Sequence, residues 1–343
     1  MAFFIAYFCA MQLSYSFIIP VYNRPDEVAE LLGSLANMDT TLPSEILIIE
    51  DGSTITCKHV CDKYAEQLDI KYFIKKNTGP GDSRNYGMKR AKGNYFIILD
   101  SDCILPPHYL ATVDSYLTKN YVDCYGGADA AHDSFTPLQK AINYTMTSFF
   151  TTGGIRGSKK SVTKFEPRSF NMGISKQVFD ATGGYAKIHP GEDPDLSHRI
   201  MNLGFKTAFL PDAYVFHKRR ISWEKFYQQV RKFGLVRPIL SRWHPEAAKL
   251  TFWFPTMFVL FVILSVLFSA ISSVKFIIPL ALYLLLLFVD SAIRNKSLSV
   301  AVLSIAAIFV QFFGYGLAFL KSTYYIRFQG KDPETQFPFL FFK

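Results

Sequence analysis

The sequence predicts an α/β domain built on a mostly parallel sheet, followed by a C-terminal α-helical transmembrane region. Two observations carry this. Short, continuously apolar strands alternate with amphipathic, helix-length segments in the first part of the chain, as in parallel sheets covered on both faces. From about Leu250 to Leu320 charge almost vanishes, whereas the region before it has ordinary soluble composition. At 343 residues the chain has room for both parts.

Ser16 to Val21 reads as a buried strand, and Asp26 to Ala36 places Val28, Leu31, Leu32 and Leu35 at helical spacing. Glu45 to Glu50 is a second apolar run, closed by the turn signal Asp51-Gly52-Ser53. Cys57 to Leu68 reads as helix, Lys71 to Ile74 as strand and Ser83 to Ala91 as helix. Tyr95 to Leu99 is a further buried strand, ending at Asp100-Ser101-Asp102. Ligands of such sheets bind beyond the carboxyl ends of the strands. Asn23, Asp51, Asp100 and Asp102 should therefore gather at one edge. The stretch from Tyr121 to His217 is less regular: Gly153-Gly154 and Ile155 to Lys164 suggest a polar loop, Arg168 to Ile174 a strand, and Gly191 to Asn202 a turn opening a helix.

Three apolar stretches follow, 251–272, 274–290 and 298–320. The first and third are long enough to span about 30 Å of hydrocarbon, and Lys275 and Asp290 can extend the second by snorkelling. Before them, Phe226, Val230, Phe233 and Val236 recur at helical spacing among Lys218, Arg219, Arg220, Lys225, Arg231, Lys232, Arg237 and Arg242. That pattern fits a helix in the interface of an anionic membrane, or one packed on protein. No RNA- or DNA-binding pattern accompanies the net charge of +9, so nucleic acid is not expected as a partner. Met1 to Met11 is apolar but too short to span and lacks a charged start or cleavage site, so it does not read as a secretory signal. Initiation at Met11 is an open alternative. The cysteines Cys9, Cys57, Cys61, Cys103 and Cys124 are odd in number and lack metal-site spacing, which reads as reduced thiols.

Two carboxylates one residue apart on an extended segment share a face. Asp100 and Asp102 could therefore hold a hard divalent cation together with substrate phosphates, or simply close the strand in an Asp-rich turn. Asp193, in Gly191-Glu192-Asp193-Pro194, looks like an N-cap before a first-turn proline. A carboxylate there could also be a general base. His217 ends an apolar strand and is either structural or a metal or phosphate ligand. Arg84 and Lys76 flank Gly79-Pro80-Gly81, where they either hold a pyrophosphate or remain solvated.

Taken in order, several segments carry a resemblance. Phe17-Ile18-Ile19-Pro20-Val21-Tyr22-Asn23-Arg24 resembles the opening of family 2 glycosyltransferases, and Ile48-Ile49-Glu50-Asp51-Gly52-Ser53 resembles their second-strand signature. Asn77 to Gly87, Ala91-Lys92-Gly93 and Phe96 to Asp102 continue it. Phe170-Asn171-Met172-Gly173, Gly183-Gly184-Tyr185, Gly191-Glu192-Asp193 and His217 complete it.

The resemblance covers about residues 14–220. It implies a GT-A fold (a Rossmann-like nucleotide-diphospho-sugar transferase sheet) and inverting, hexosyltransferase-type chemistry with Mn2+ or Mg2+ as cofactor. It implies that Asp51 contacts the nucleotide base, with backbone near Pro20 and Tyr22 helping. Arg84 lies near the phosphates. Asp100, Ser101 and Asp102 hold ribose, diphosphate and metal, Asp102 being the firmer metal ligand. Asp193 becomes the catalytic base, and His217 a further metal or diphosphate ligand.

Position 50 is Glu where the family more often has Asp, which leaves nucleotide contacts there open. Gln228-Gln229-Val230-Arg231-Lys232 matches only part of the QxxRW motif of processive members, so transfer of a single sugar is expected. The expected layout is a catalytic domain at 14–220, an amphipathic linker at 221–247, transmembrane helices within 248–322 and a tail at 323–343. The expected partners are a nucleotide-diphosphate sugar, membrane lipid and a lipid-linked glycan of surface polysaccharide assembly. The expected location is the inner cell membrane, multi-pass, with the catalytic domain cytosolic. Arg294 and Lys296 agree with that side, whereas three spans place Lys321, Arg327 and Lys331 outside, against the positive-inside tendency, so a re-entrant or interfacial stretch is an open alternative to a third span. The rival functions are a polyprenyl-phosphate sugar synthase and a catalytically inactive nucleotide-sugar-binding scaffold.

Overall fold

The apolar runs become strands where the pattern places them. The computed structural model describes residues 12–130, 135–152, 166–217 and 222–342, with the side chains of Ala130 and His217 excepted. Met1–Met11, the polar loop at 153–164 and the cations Lys218, Arg219 and Arg220 lie outside the described residues. The chain forms two compact units that interleave along the sequence.

The first unit takes described residues 12–129, 167–185 and 199–215. Its sheet is built from β1 (Tyr15–Val21), β2 (Ser44–Asp51), β3 (Asp69–Lys75), β4 (Tyr95–Leu99), β5 (Cys103–Ile104), β6 (Cys124–Ala130), β7 (Asn171–Ser175) and β8 (Thr207–His217). The strand order is β3-β2-β1-β4-β7-β6-β8-β5. β1, β2, β3 and β4 run parallel, with Val21 opposite Glu50, Asp51 opposite Lys75 and Ile18 opposite Ile98. Every residue of β1 and β4 is buried, which is why those strands read as unbroken apolar runs rather than alternating ones. β7 then runs antiparallel to both β4 and β6.

Helices cover this sheet: α1 (Pro25–Ala36), α2 (Lys58–Tyr64), α3 (Pro80–Met88) and α4 (Tyr109–Lys119). α1 starts with proline in its first turn and buries Val28, Leu31, Leu32 and Leu35, the four positions that the spacing selects. These side chains join Phe17, Ile19, Ile48, Ile97 and Tyr109 in one core.

Asn171 binds the irregular half together. Its Oδ1 accepts from the Tyr109 hydroxyl at 2.6 Å, and its Nδ2 donates to the carbonyls of Ala213 at 2.8 Å and Ala128 at 3.3 Å. The side chain is fully buried, so truncation leaves several polar groups dry. Asn171→Ala is expected to cost about 3 kcal/mol, read as a fall in the thermal midpoint of the detergent-purified chain. A midpoint equal to wild type would contradict this.

The second unit takes in residue 130, α5 (Pro137–Thr147), α6 (Phe149–Thr152), residues 166 and 186–198, and everything described from 216 onward. After α7 (Lys176–Thr182) in the first unit, α8 (Glu192–Asn202) contributes its opening turns to the second. There α9 (Trp223–Trp243) is followed by α10 (Phe254–Ile271), α11 (Ile278–Asn295) and α12 (Leu298–Thr323). Three helical stretches, Leu250–Ile271, Val274–Asn295 and Leu298–Phe328, are long and apolar enough to cross a membrane. The second is longer than the sequence pattern suggests because Asp290 and Arg294 pair one turn apart and stay helical. The third runs on through Lys321 and Arg327.

α9 packs along α12 so closely that a Cβ at Gly234 would lie 2.4 Å from the Tyr315 carbonyl oxygen. Phe226 and Val230 are buried with Ile142 and Ala307. The apolar face of α9 is therefore covered by protein within this unit.

Candidate active site

Parallel strands deliver their carboxyl ends to one edge, and in the first unit that edge carries the acidic residues the sequence marks out. At the end of β1, Pro20 and Val21 are buried while Tyr22 is exposed. Asn23 adopts a left-handed φ of 54°. Its Oδ1 accepts from Thr54 N at 2.8 Å and Ile55 N at 2.9 Å, and its own N–H donates to Ser53 Oγ. The ends of β1 and β2 are thus stitched together. Gly52 has φ 73°, and a Cβ there would stand 2.6 Å from Asn77 N, so both backbone and space require glycine.

Asp51 closes β2. Its Oδ1 accepts from Lys75 Nζ at 2.6 Å and Thr78 N at 3.0 Å, and its Oδ2 from Gly79 N at 2.9 Å. Asp51 therefore anchors the loop that starts α3. Lys75 also reaches Asp82; burial pushes that carboxyl up, but the Thr78 hydroxyl and the nearby lysines together outweigh burial and hold it below its ordinary range. Glu50 turns the other way. Its Oε2 accepts from Cys57 N at 3.0 Å, Cys57 Sγ at 3.1 Å and the Tyr72 hydroxyl at 2.8 Å. This residue is wholly buried and ties α2 to β3, which accounts for a carboxylate longer than Asp at that position.

At the end of β4, Ser101 and Asp102 are buried and Asp100 is part-exposed. The Arg84 guanidinium, from α3, donates to Asp100 Oδ1 at 2.7 Å and lies over the Tyr185 ring at 5.2 Å. Tyr185 is held in turn by Asn85, whose amide bonds both its backbone N–H and its carbonyl, each at 2.8 Å. Arg24, at the start of α1, pairs with Asp102. Burial opposes the Arg24 charge, but the Asp102 carboxylate beside it outweighs burial and raises its pKa above the ordinary value. The structure thus places Asp51, Asp100, Ser101 and Asp102 at the ends of parallel strands, pairs Arg84 with Asp100, and adds Lys75 on Asp51, Arg24 on Asp102, and Tyr185 with Asn85 beside Arg84. The sequence shows no role for Arg24, because its partner is 78 residues away.

Residues 16–182 match the profile of Glycosyl transferase family 2. The chain carries a glycosyl transferase family 2 domain. Over 87 residues it is 46% identical to a Rickettsia conorii protein named as an uncharacterized glycosyltransferase, covering 25% of this chain and 14% of that one. Over 114 residues it is 30% identical to the poly(ribitol-phosphate) beta-N-acetylglucosaminyltransferase TarS of Staphylococcus aureus, covering 32% of this chain and 20% of that one. The aligned parts are thus a fifth or less of these relatives' length. Mannosyltransferase PcManGT of Pyrobaculum calidifontis, solved with GDP-Man and Mn2+, is similar at TM-score 0.54 and 15% identity, covering 93% of this chain and 88% of that one. That likeness shows the fold, the GT-A glycosyltransferase fold that the motifs imply.

Asp193 and His217 lie beyond the matched family 2 segment. Asp193 belongs to the second unit, as does the backbone of His217, whose side chain is outside the described residues. α8 begins at Glu192, so Asp193 sits inside the first acidic turn with Glu192 and Asp195. This differs from the N-cap position that the Asp-Pro pair suggests. Glu192 Oε1 accepts from His189 Nδ1 at 2.8 Å, and Asp195 Oδ1 accepts from His244 Nε2 at 2.9 Å. The rings of His244 and His198 lie 5.1 Å apart. Among the described residues, no group of three or more His, Cys, Asp or Glu side chains is gathered to hold a metal. The four described cysteines, Cys57, Cys61, Cys103 and Cys124, are free and buried, while Cys9 is outside the described residues.

Burial lowers the pKa of His198 below its ordinary 6.5, and neighbouring His244 and Arg237 push the same way, against Glu166 and Glu246. A histidine kept neutral by folding stabilises the native state above its unfolded pKa. That contribution is lost as pH falls through the lower folded pKa. Thermal stability should therefore fall as pH drops below about 6.5, and His198→Gln should flatten that fall. Identical pH profiles for the two proteins would rule out this origin.

Proposed function

We propose that the protein is an inverting, hexosyltransferase-type glycosyltransferase that moves one sugar from a nucleotide diphosphate to an acceptor hydroxyl. The observation that carries the reading is the family 2 segment with its acidic motif residues standing at the carboxyl edge of the sheet. Asp51 would meet the nucleotide base, with backbone at Pro20 and Tyr22 beside it. Asp100 and Ser101 would hold ribose and diphosphate, and the Arg84 guanidinium would face the phosphates. Asp193 would take the proton of the acceptor hydroxyl as that oxygen attacks the anomeric carbon. In-line displacement inverts the sugar without a covalent intermediate.

The donor set fits a divalent cation, Mn2+ or Mg2+. Asp100 and Asp102 offer hard carboxylate oxygens, and so few protein ligands leave positions for phosphate oxygens and water. Asp102 and Asp100 would hold the ion, with His217 as the further candidate. Bound there, it would supply neutralising charge to the departing diphosphate.

The same reading takes residues 14–220 as catalytic and 221–247 as an amphipathic linker. It takes the three apolar helices as a multi-pass anchor in the inner membrane, with the catalytic domain on the cytosolic side and 323–343 as a tail. A lipid-linked glycan in surface polysaccharide assembly is the acceptor class that such an anchor favours, and nucleic acid is not a partner. The test incubates the detergent-purified protein with labelled nucleotide sugars, Mn2+ and a lipid extract. A lipid product heavier by one sugar is expected, with the new sugar still glycosidically joined to the glycan after mild acid has released that glycan from its lipid. Long polymer would overturn single transfer. An acid-labile product that persists in Asp193→Asn would favour a polyprenyl-phosphate sugar synthase.

A further inference from the structure

Each of the two carboxylates that would take the cation already has a guanidinium: Arg84 on Asp100 and Arg24 on Asp102. The two pairs differ in how fixed they are. The Arg84 side chain is almost wholly buried, lies over the Tyr185 ring and extends from the middle of α3. The Arg24 side chain is about one-third exposed and precedes the first turn of α1, where no side-chain bond caps the helix. Arg24 is therefore the partner that can swing away at small cost.

The charges make the consequence specific. Two carboxylates and two guanidiniums cancel, so a divalent cation entering alone leaves the four groups with excess positive charge. It must also compete with a guanidinium for Asp102, the more buried of the two carboxylates. A nucleoside diphosphate restores the balance and offers the displaced guanidinium a new acceptor, since arginine pairs with phosphate as readily as with carboxylate.

We propose that Arg24 occupies Asp102 in place of the divalent cation, and that it transfers to the donor diphosphate when cation and donor enter together. Arg24 is then a donor-binding residue that also suppresses binding of the metal by itself. This rests on the donor-site reading above, with which it shares Asp102.

The test measures free Mn2+ by electron paramagnetic resonance as MnCl2 is titrated into the full-length protein in detergent, alone and then with UDP or GDP. Wild type should bind Mn2+ weakly alone and much more tightly with one of the nucleotides. Arg24→Gln should bind Mn2+ alone at least about tenfold more tightly than wild type, because a competing charge in contact with Asp102 is gone. It should gain less from the nucleotide than wild type does. Arg24→Lys, which keeps the cation, should stay close to wild type, and this separates the effect from a folding defect. Equal Mn2+ affinity for wild type and Arg24→Gln, with normal nucleotide enhancement in both, would overturn the exchange while leaving the donor-site reading intact. Absence of Mn2+ binding by wild type with or without either nucleotide would overturn both.

Discussion

Replacing Asp193 by Asn should lower sugar transfer by about a thousandfold while leaving donor affinity unchanged. Asn matches Asp in size and keeps a polar amide in the first turn of α8, so the change removes basicity and charge rather than shape. The helix start does not depend on that carboxylate alone, since Asp195 N donates to the Gly191 carbonyl at 3.1 Å and Asp195 pairs with His244. The effect should appear in kcat, measured as nucleoside diphosphate release with a saturating acceptor, and not in the donor KM. Transfer within a few-fold of wild type would remove Asp193 from the mechanism and favour a nucleophile that needs no base.

The second large effect is at Asp102. Asp102→Asn should reduce kcat/KM for the donor by about 10²- to 10³-fold, and activity should then require far higher Mn2+. The residue is buried at the end of β4 against Arg24, so removing its charge also leaves Arg24 without its anionic partner. A modest stability loss should accompany the kinetic one, because the guanidinium is part-exposed and can turn to water. Thermal unfolding reports this loss separately from the Mn2+ titration. Wild-type activity with unchanged Mn2+ dependence would show that Asp102 is not a metal ligand.

Much of the first unit was legible in the chain because burial on both faces writes itself as unbroken apolar sequence. Tyr95 to Leu99 became β4 without adjustment, and α1 buried the four residues its spacing selects. Strand direction was less readable. Nothing in Asn171 to Ser175 says that β7 opposes β4, because antiparallel and parallel buried strands share one composition. α2 ends at Tyr64, four residues before Leu68, because Ala65 to Leu68 leave the helix to meet β3. At the candidate site the acidic residues were visible as strand-end signals, but their partners were not. Lys75 on Asp51, Arg24 on Asp102 and Asn85 on Tyr185 are tertiary pairings that no local spacing encodes. Glu50 reads in sequence as a departure within a nucleotide-contact motif. In the fold it is a buried tie between Cys57 and Tyr72.

In the proposed function the strand-edge carboxylates serve a metal-dependent nucleotide-sugar site. Its most direct test is diphosphate release by the purified full-length protein across a panel of nucleotide sugars, with Mn2+ and after chelation. Release is expected from one or a few donors and should stop on chelation and in Asp102→Asn. Release that continues unchanged in both, or a folded protein that neither binds nor cleaves any donor with Mn2+ present, would contradict it.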